Sequence, residues 1–266
     1  MRLDVAYDGT DFSGWAAQPG RRTVAGVLAG ELARVFGAIE GLTVAGRTDA
    51  GVHATGQVCH VDVPAGTWVE RGGTLVRRLA GLLPPDVRVL SAAAVPASFD
   101  ARFSALSRRY EYRVTDAPWG ADPLRARYLL AWPRPLNLAA LDDASAGLVG
   151  EHDFAAYCRR KENATTIRAI SELTWRREPD GDLVATVQAD AFCQAMVRSL
   201  IGALLAVGDG RRPVPWPAGL LGRDVRANEV TVAPPHGLTL VAVEYPASGP
   251  GYAARAEITR NRRSLL

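Results

Sequence analysis

The sequence predicts an α+β protein made of two ferredoxin-like (βαββαβ) halves, joined into a mainly antiparallel sheet with helices on one face. Three observations carry this expectation. Over residues 2–95, apolar residues alternate or recur at helical spacing in the order strand, helix, strand, strand, helix, strand. The same order recurs over residues 107–245. The second repeat also contains Pro179-Asp180-Gly181-Asp182, whose residue types form a tight turn between two paired strands.

The elements follow in chain order. Residues 2–7 read as a strand, and Thr23 supplies a cap for an amphipathic helix ending at Phe36. Residues 42–46 and 56–63 read as strands, 68–83 as a helix and 86–95 as a strand. A link containing Phe99-Asp100-Ala101-Arg102-Phe103-Ser104 leads to a strand at 107–115 and a helix at 138–149. Strands at 166–177 and 182–190, a helix at 191–207 and a strand at 238–245 complete the second half. The expected division is therefore an N-terminal domain at 1–103, a C-terminal domain at 104–246, and a tail at 247–266. That tail is Gly/Pro-rich and then basic, which suits either disorder or an accessory RNA contact.

Composition restricts the function classes. A chain of 266 residues with 48% hydrophobic content can bury one large core or two domain-sized ones. No apolar run reaches the roughly 18 residues of a membrane span. Met1-Arg2-Leu3-Asp4-Val5 opens a strand-like pattern rather than a signal peptide, so cytoplasmic residence without membrane association is expected. Cys59, Cys158 and Cys193 lack any CxxC spacing and read as three buried thiols, with neither disulfide framework nor zinc site. Lys161 is the only lysine, so arginine supplies nearly all of the 31 basic residues, often in pairs such as Arg108-Arg109 and Arg262-Arg263. Guanidinium forks suit phosphates and stacked bases, which makes an RNA partner plausible, although a GC-rich coding sequence favours the same composition.

The most informative stretch is Ala45-Gly46-Arg47-Thr48-Asp49-Ala50-Gly51-Val52-His53. It hangs Arg47 and Asp49 from a turn bracketed by glycines, where both side chains can converge on one bound group. The same residue types also occur in ordinary loops and weak surface ion pairs. In the strand that follows, Gln57, Cys59 and Val61 share one face, and Val58 and His60 share the other. His53, Cys59 and His60 match no common metal-ligand spacing, and no Gly-Lys-Ser/Thr follows the glycines, so neither a metal site nor a phosphate loop is expected.

Three further segments could supply partners for Asp49. Arg102 to Tyr112 places Arg102, Arg108 and Arg109 beside Tyr110, which suits stacking on bases and gripping phosphate; packing in a central strand is the plainer alternative. Ala191 to Gly202 is apolar and helical, so Arg198 is a cation on a face otherwise fit for burial, and such a cation needs an anionic partner. Gly237 to Tyr245 reads as a structural closing strand.

Together these segments closely resemble the tRNA pseudouridine synthase A (TruA) family. The matching features are Tyr7-Asp8-Gly9-Thr10, Phe12-Ser13-Gly14-Trp15, Ala45 to His53, Thr55-Gly56-Gln57-Val58, Ala101-Arg102-Phe103-Ser104, Arg108-Arg109-Tyr110, Met196-Val197-Arg198 and Gly237-Leu238, in family order up to about Pro246. The resemblance implies a cofactor-independent isomerase that converts uridine to pseudouridine at positions 38–40 of the tRNA anticodon stem-loop, acting as a homodimer. It also implies that Asp49 is the nucleophile, that Tyr110 lies against the target base, and that Arg198 is the cation paired with the Asp. Arg47, Arg102, Arg108, Arg109 and Gln57 are the expected substrate-binding residues beside Tyr110.

The chemistry suits these residue types. The N1–C1′ bond breaks, the uracil turns and C5 joins C1′, with no electrons gained or lost. A carboxylate therefore suffices as covalent partner, whether by attack on C1′, addition to C6, or assistance to a glycal route. Several positions depart from the family pattern: Ala16, Ala25, Ala80, Asp100 and Gln194 stand where other side chains are usual. They are the one support for an alternative, a tRNA-binding or tRNA-folding protein of the same fold with weak or absent catalysis.

Overall fold

The computed structural model describes residues 1–159, 165–247 and 249–261. Arg160, Lys161, Arg262 and Arg263, counted above among the basic residues, lie outside the described residues, as does the last part of the expected tail.

The chain divides into two compact units, one comprising Met1–Arg108 with Leu240–Asn261, the other Arg109–Thr239. The first division falls close to the expected boundary after residue 103. The return of the chain is different, because most of the closing strand and the segment beyond it belong to the first unit. The fold is α+β, with mainly antiparallel strands.

In the first unit, β1 (Arg2–Tyr7) alternates half-buried and buried residues, sending Leu3, Val5 and Tyr7 to the core. It pairs antiparallel with β3 (His53–Asp62) on one side and β4 (Val87–Ala93) on the other. The second half of β3 carries β2 (Glu40–Val44), so the local order β4-β1-β3-β2 is that of a ferredoxin-like unit. Helix α1 (Val24–Phe36) begins where the Thr23 hydroxyl accepts from Gly26 N at 3.2 Å, and ends at Gly37 with φ 82°. Its buried stripe is Val24, Ala25, Leu28, Leu32, Val35 and Phe36.

The helix expected over 68–83 is instead two, α2 (Ala65–Arg71) and α3 (Leu75–Leu82), joined by a 3₁₀ turn at Gly72–Thr74. Two adjacent glycines are poor helix formers, so the α ladder gives way there.

The second unit orders its strands β5-β9-β8-β7, from β5 (Ser107–Thr115, which begins in the first unit), β9 (Leu183–Ala189), β8 (Ile167–Arg177) and β7 (Gly150–Asp153). Two-residue β6 (Leu130–Ala131) runs parallel to the end of β5. The β8–β9 hairpin turns at Gly181, φ 92°, as its sequence expected, and Arg125 clasps Asp180 at 2.6 Å.

Helix α4 (Leu138–Ala146) starts at Asn137, whose side chain accepts from Ala140 N at 3.1 Å. It packs on β8 and on α5 (Met196–Gly208). The sequence starts α5 five residues too early, because Ala195 holds a left-handed φ of 64° that a helix cannot include. The short helix α6 (Trp216–Gly219) was not expected.

The cysteine reading needs correction. Cys158 and Cys193 form a disulfide, with their Cα atoms 5.6 Å apart. The β8–β9 hairpin closes the sequence separation between them, and Arg159 N donates to Gln194 O at 2.9 Å beside the bond. Cys59 is a buried thiol whose pKa is pushed far up by burial.

The strand β10 (Leu238–Glu244) lies next to β3 within the first unit, and Gly56 is required where they meet: a Cβ there would stand 2.1 Å from Val241 O. Beyond it, the expected tail forms helix α7 (Gly249–Arg260). Its Tyr252 packs edge-on against Phe99 with ring centres 5.1 Å apart, over a cluster of Ala45, Val58, Phe99 and Ala101.

Candidate active site

In the first unit, the loop carrying Asp49 is moulded by the segment that follows β1. Trp15 N donates to Thr48 O at 3.1 Å, and Gly51 N to Phe12 O at 3.4 Å. Gly14, at φ 88°, lies so close that a Cβ would be 2.8 Å from Thr48 O and 3.2 Å from Ala50 N. Gly9 is equally confined, its missing Cβ falling 2.0 Å from Val52 O, and Gly9 N donates to His53 Nδ1 at 3.0 Å. The turn itself closes through Val52 N to Asp49 O at 3.2 Å, with Gly51 at φ 78°. These contacts present Asp49 half-buried and Arg47 exposed, from backbone anchored on both sides.

Behind the loop, Gln57 is fully enclosed. Its Nε2 donates to Gly46 O at 2.8 Å and to Tyr7 Oη at 3.1 Å, while Tyr7 Oη and Thr48 Oγ1 share a hydrogen bond of 2.8 Å. Arg108 is also buried, donating from Nη2 to Ala45 O at 2.9 Å and to Arg102 O at 2.6 Å. Gln57 and Arg108, both expected to touch substrate, thus spend these bonds on the backbone and side chains of their own unit. Arg102 is exposed, with its guanidinium 5.0 Å from the Phe103 ring centre.

In the second unit, Tyr110 is buried and meets Phe192 edge-on at 5.3 Å. Arg109 is half-exposed, paired with Glu172 at 3.0 Å and Gln188 at 2.9 Å. Arg198, in the first turn of α5, donates from Nε to Ala233 O at 2.8 Å, and Ala233 N returns a bond to Arg198 O at 2.9 Å. The Nε–H bond holds the guanidinium beside the Ala233 carbonyl.

One of the departures from the family pattern, Asp100, has local work. Asp100 Oδ1 accepts from Arg102 N and Phe103 N at 2.8 and 2.9 Å, closing the turn before β5. The sequence pattern assigns no role to Tyr7, Gly9, Gly14 or Trp15, which shape the loop from beneath and beside it. The available signal was in β1: Tyr7 continues the buried Leu3, Val5 face, and a hydroxyl ending such a face must find a partner.

Among the described residues, no group of three or more His, Cys, Asp or Glu is placed to hold a metal ion, and no helix is long and apolar enough to cross a membrane.

A family model for tRNA pseudouridine synthase matches residues 144–246. The tRNA pseudouridine synthase A of Frankia casuarinae is 60% identical over 262 residues, spanning 98% of this chain and 94% of that protein. The chain belongs to the tRNA pseudouridine synthase A family. Members from Streptomyces griseus and Mycobacterium leprae are 58% and 53% identical, over 100% and 99% of this chain and 94% and 95% of theirs. This is an isomerase family acting on tRNA uridine. The family model covers Arg198 but begins after Asp49 and Tyr110, whereas alignments of this length take in nearly all of the chain.

Proposed function

We propose that this chain converts uridine to pseudouridine at positions 38–40 of the tRNA anticodon stem-loop, with Asp49 as the nucleophile. The observation that carries the reading is the Asp49 loop: a half-buried carboxylate on backbone anchored at Gly46, Thr48 and Gly51. An ordinary surface loop has no need of such anchoring, whereas a nucleophile gains rate from being held in a near-attack position. Tyr110 supplies the ring for the target base, and Arg198 the cation that the carboxylate requires. Arg47, Arg102 and Arg109 retain exposed or half-exposed guanidinium groups suited to phosphate. Drawing a base out of a stem costs on the order of a few kcal/mol, which stacking and phosphate contacts offset. The same reading makes the working protein a cytoplasmic homodimer.

The test is tritium release from anticodon arms labelled at uridine C5, comparing wild type with Asp49→Asn. Release is expected from the wild type and only background from the variant, with tRNA binding retained. Equal release from both would overturn the assignment of Asp49. Mapping pseudouridine in tRNA from cells with and without the protein tests the positions: loss confined to 38–40 is expected.

A further inference from the structure

We infer that Tyr7 and Gln57 are positioning residues for the isomerisation, acting through Thr48 on Asp49; this rests on the reading of Asp49 as nucleophile. The argument begins with burial. Gln57 is 0%, Tyr7 5% and Thr48 6% exposed, so an amide and two hydroxyl groups lie together beneath the loop. An apolar filling of equal volume would avoid desolvating them, yet it would be indifferent to small slides and rotations of the backbone above it. A hydrogen-bonded group has direction, and these three are linked in series.

Gln57 Oε1 accepts from Val58 N at 3.2 Å, which fixes the amide plane on β3. Its Nε2 then reaches Gly46 O at 2.8 Å and Tyr7 Oη at 3.1 Å. Tyr7 Oη is joined in turn to Thr48 Oγ1 at 2.8 Å. Tyr7 ends β1, where it pairs with Ala54 of β3 and Val87 of β4 beyond a register shift in each ladder, so the residue bearing the phenol is held by two strand pairings. The relay therefore ties the loop at Gly46 and again at Thr48, the residue next to Asp49. Trp15 N takes the Thr48 carbonyl from the other side at 3.1 Å, leaving this residue held through backbone and side chain together. A displacement of about 1 Å at a reacting group can cost roughly a hundredfold in rate, so such a relay belongs where a carboxylate must be aimed.

The test uses the full chain with a tRNA transcript carrying tritiated uridine at the target positions. Tyr7→Phe keeps the ring and removes the hydroxyl; kcat is expected to fall about ten- to a hundredfold while KM and tRNA binding stay near wild type. Thr48→Val should show the same split, Thr48→Ser should restore turnover, and the Tyr7→Phe/Thr48→Val pair should be no worse than either alone. A merely structural role would lower the folded fraction without separating kcat from KM, and serine would have no special power of rescue. Thr48→Ser and Tyr7→Phe remain decisive if Thr48→Val does not fold. Wild-type kcat in folded Tyr7→Phe, beside an inactive Asp49→Asn, overturns the relay alone. An active Asp49→Asn overturns the reading beneath it.

Discussion

Arg177 grips both carboxylate oxygens of Asp116, at 2.9 and 3.1 Å, and also donates to Gly181 O and Leu136 O. Such arginines are part of the fold, as Arg108 is beneath the Asp49 loop, and an arginine-rich composition counts them together with those left for RNA. The Asp116 carboxyl is held below its usual range, first by the Arg177 hydrogen bonds and then by Leu136 N–H, with burial opposing. A depressed folded-state pKa means that the stabilisation is present above the unfolded value near 3.8 and is lost as pH falls through the lower folded value. Asp116→Asn is therefore expected to lower stability by about 1 kcal/mol near neutral pH. The gap from wild type should narrow as pH falls below about 3.8 in urea titrations. A gap that stayed constant with pH would show that ionisation of Asp116 contributes nothing.

The helix α5 shows how packing overrides local propensity. In an isolated helix, glycine to alanine gains about 1 kcal/mol. At Gly202, however, the added Cβ would stand 1.7 Å from Thr231 O, backbone of the segment that also exchanges two hydrogen bonds with Arg198. The clash dominates, so Gly202→Ala is expected to cost about 3 kcal/mol in chemical denaturation and to reduce turnover as the Arg198 tether shifts. A stabilised variant would mean that the segment can withdraw freely. The apolar run made α5 legible in the sequence, but its start was not, because the turn at Ala195 and the Cys158–Cys193 bond depend on distant chain. The turn that carries Asp49 was legible for the opposite reason: its glycine-bracketed string is local. The hydrogen bonds that Tyr7, Gln57 and Arg108 make beneath the loop are not legible in the sequence, since a strand pattern shows which way a side chain faces and not what waits there.

For the molecule as a whole, the repeated strand and helix order made the α+β class readable, while the path of the chain end was not. Residues 247–266 look polar and breakable in sequence, with Gly and Pro at the start and little apolar periodicity, so nothing local announces α7. Its docking depends on sparse anchors supplied by the first unit. Tyr252 seats on Phe99, Ala256 is 3% exposed, and Arg255 Nε donates to Ala105 O at 3.2 Å. The Ser104 hydroxyl donates to Tyr252 O at 3.1 Å, and Arg260 lies over the Phe103 ring and 3.5 Å from Asp100. These contacts surround the 99–104 turn, which also supplies the Arg102 carbonyl that holds Arg108. A chain ending at Pro246 is therefore expected to lose about 3 kcal/mol, mostly from uncovering Phe99 and breaking the hydrogen bonds that tie α7 to Ser98, Ser104 and Ala105. For a chain of this size that is a fall of several degrees in melting temperature. If the segment were only an accessory RNA contact, truncation would leave the melting temperature of the free protein unchanged and weaken tRNA binding alone, so thermal unfolding without RNA separates the two roles.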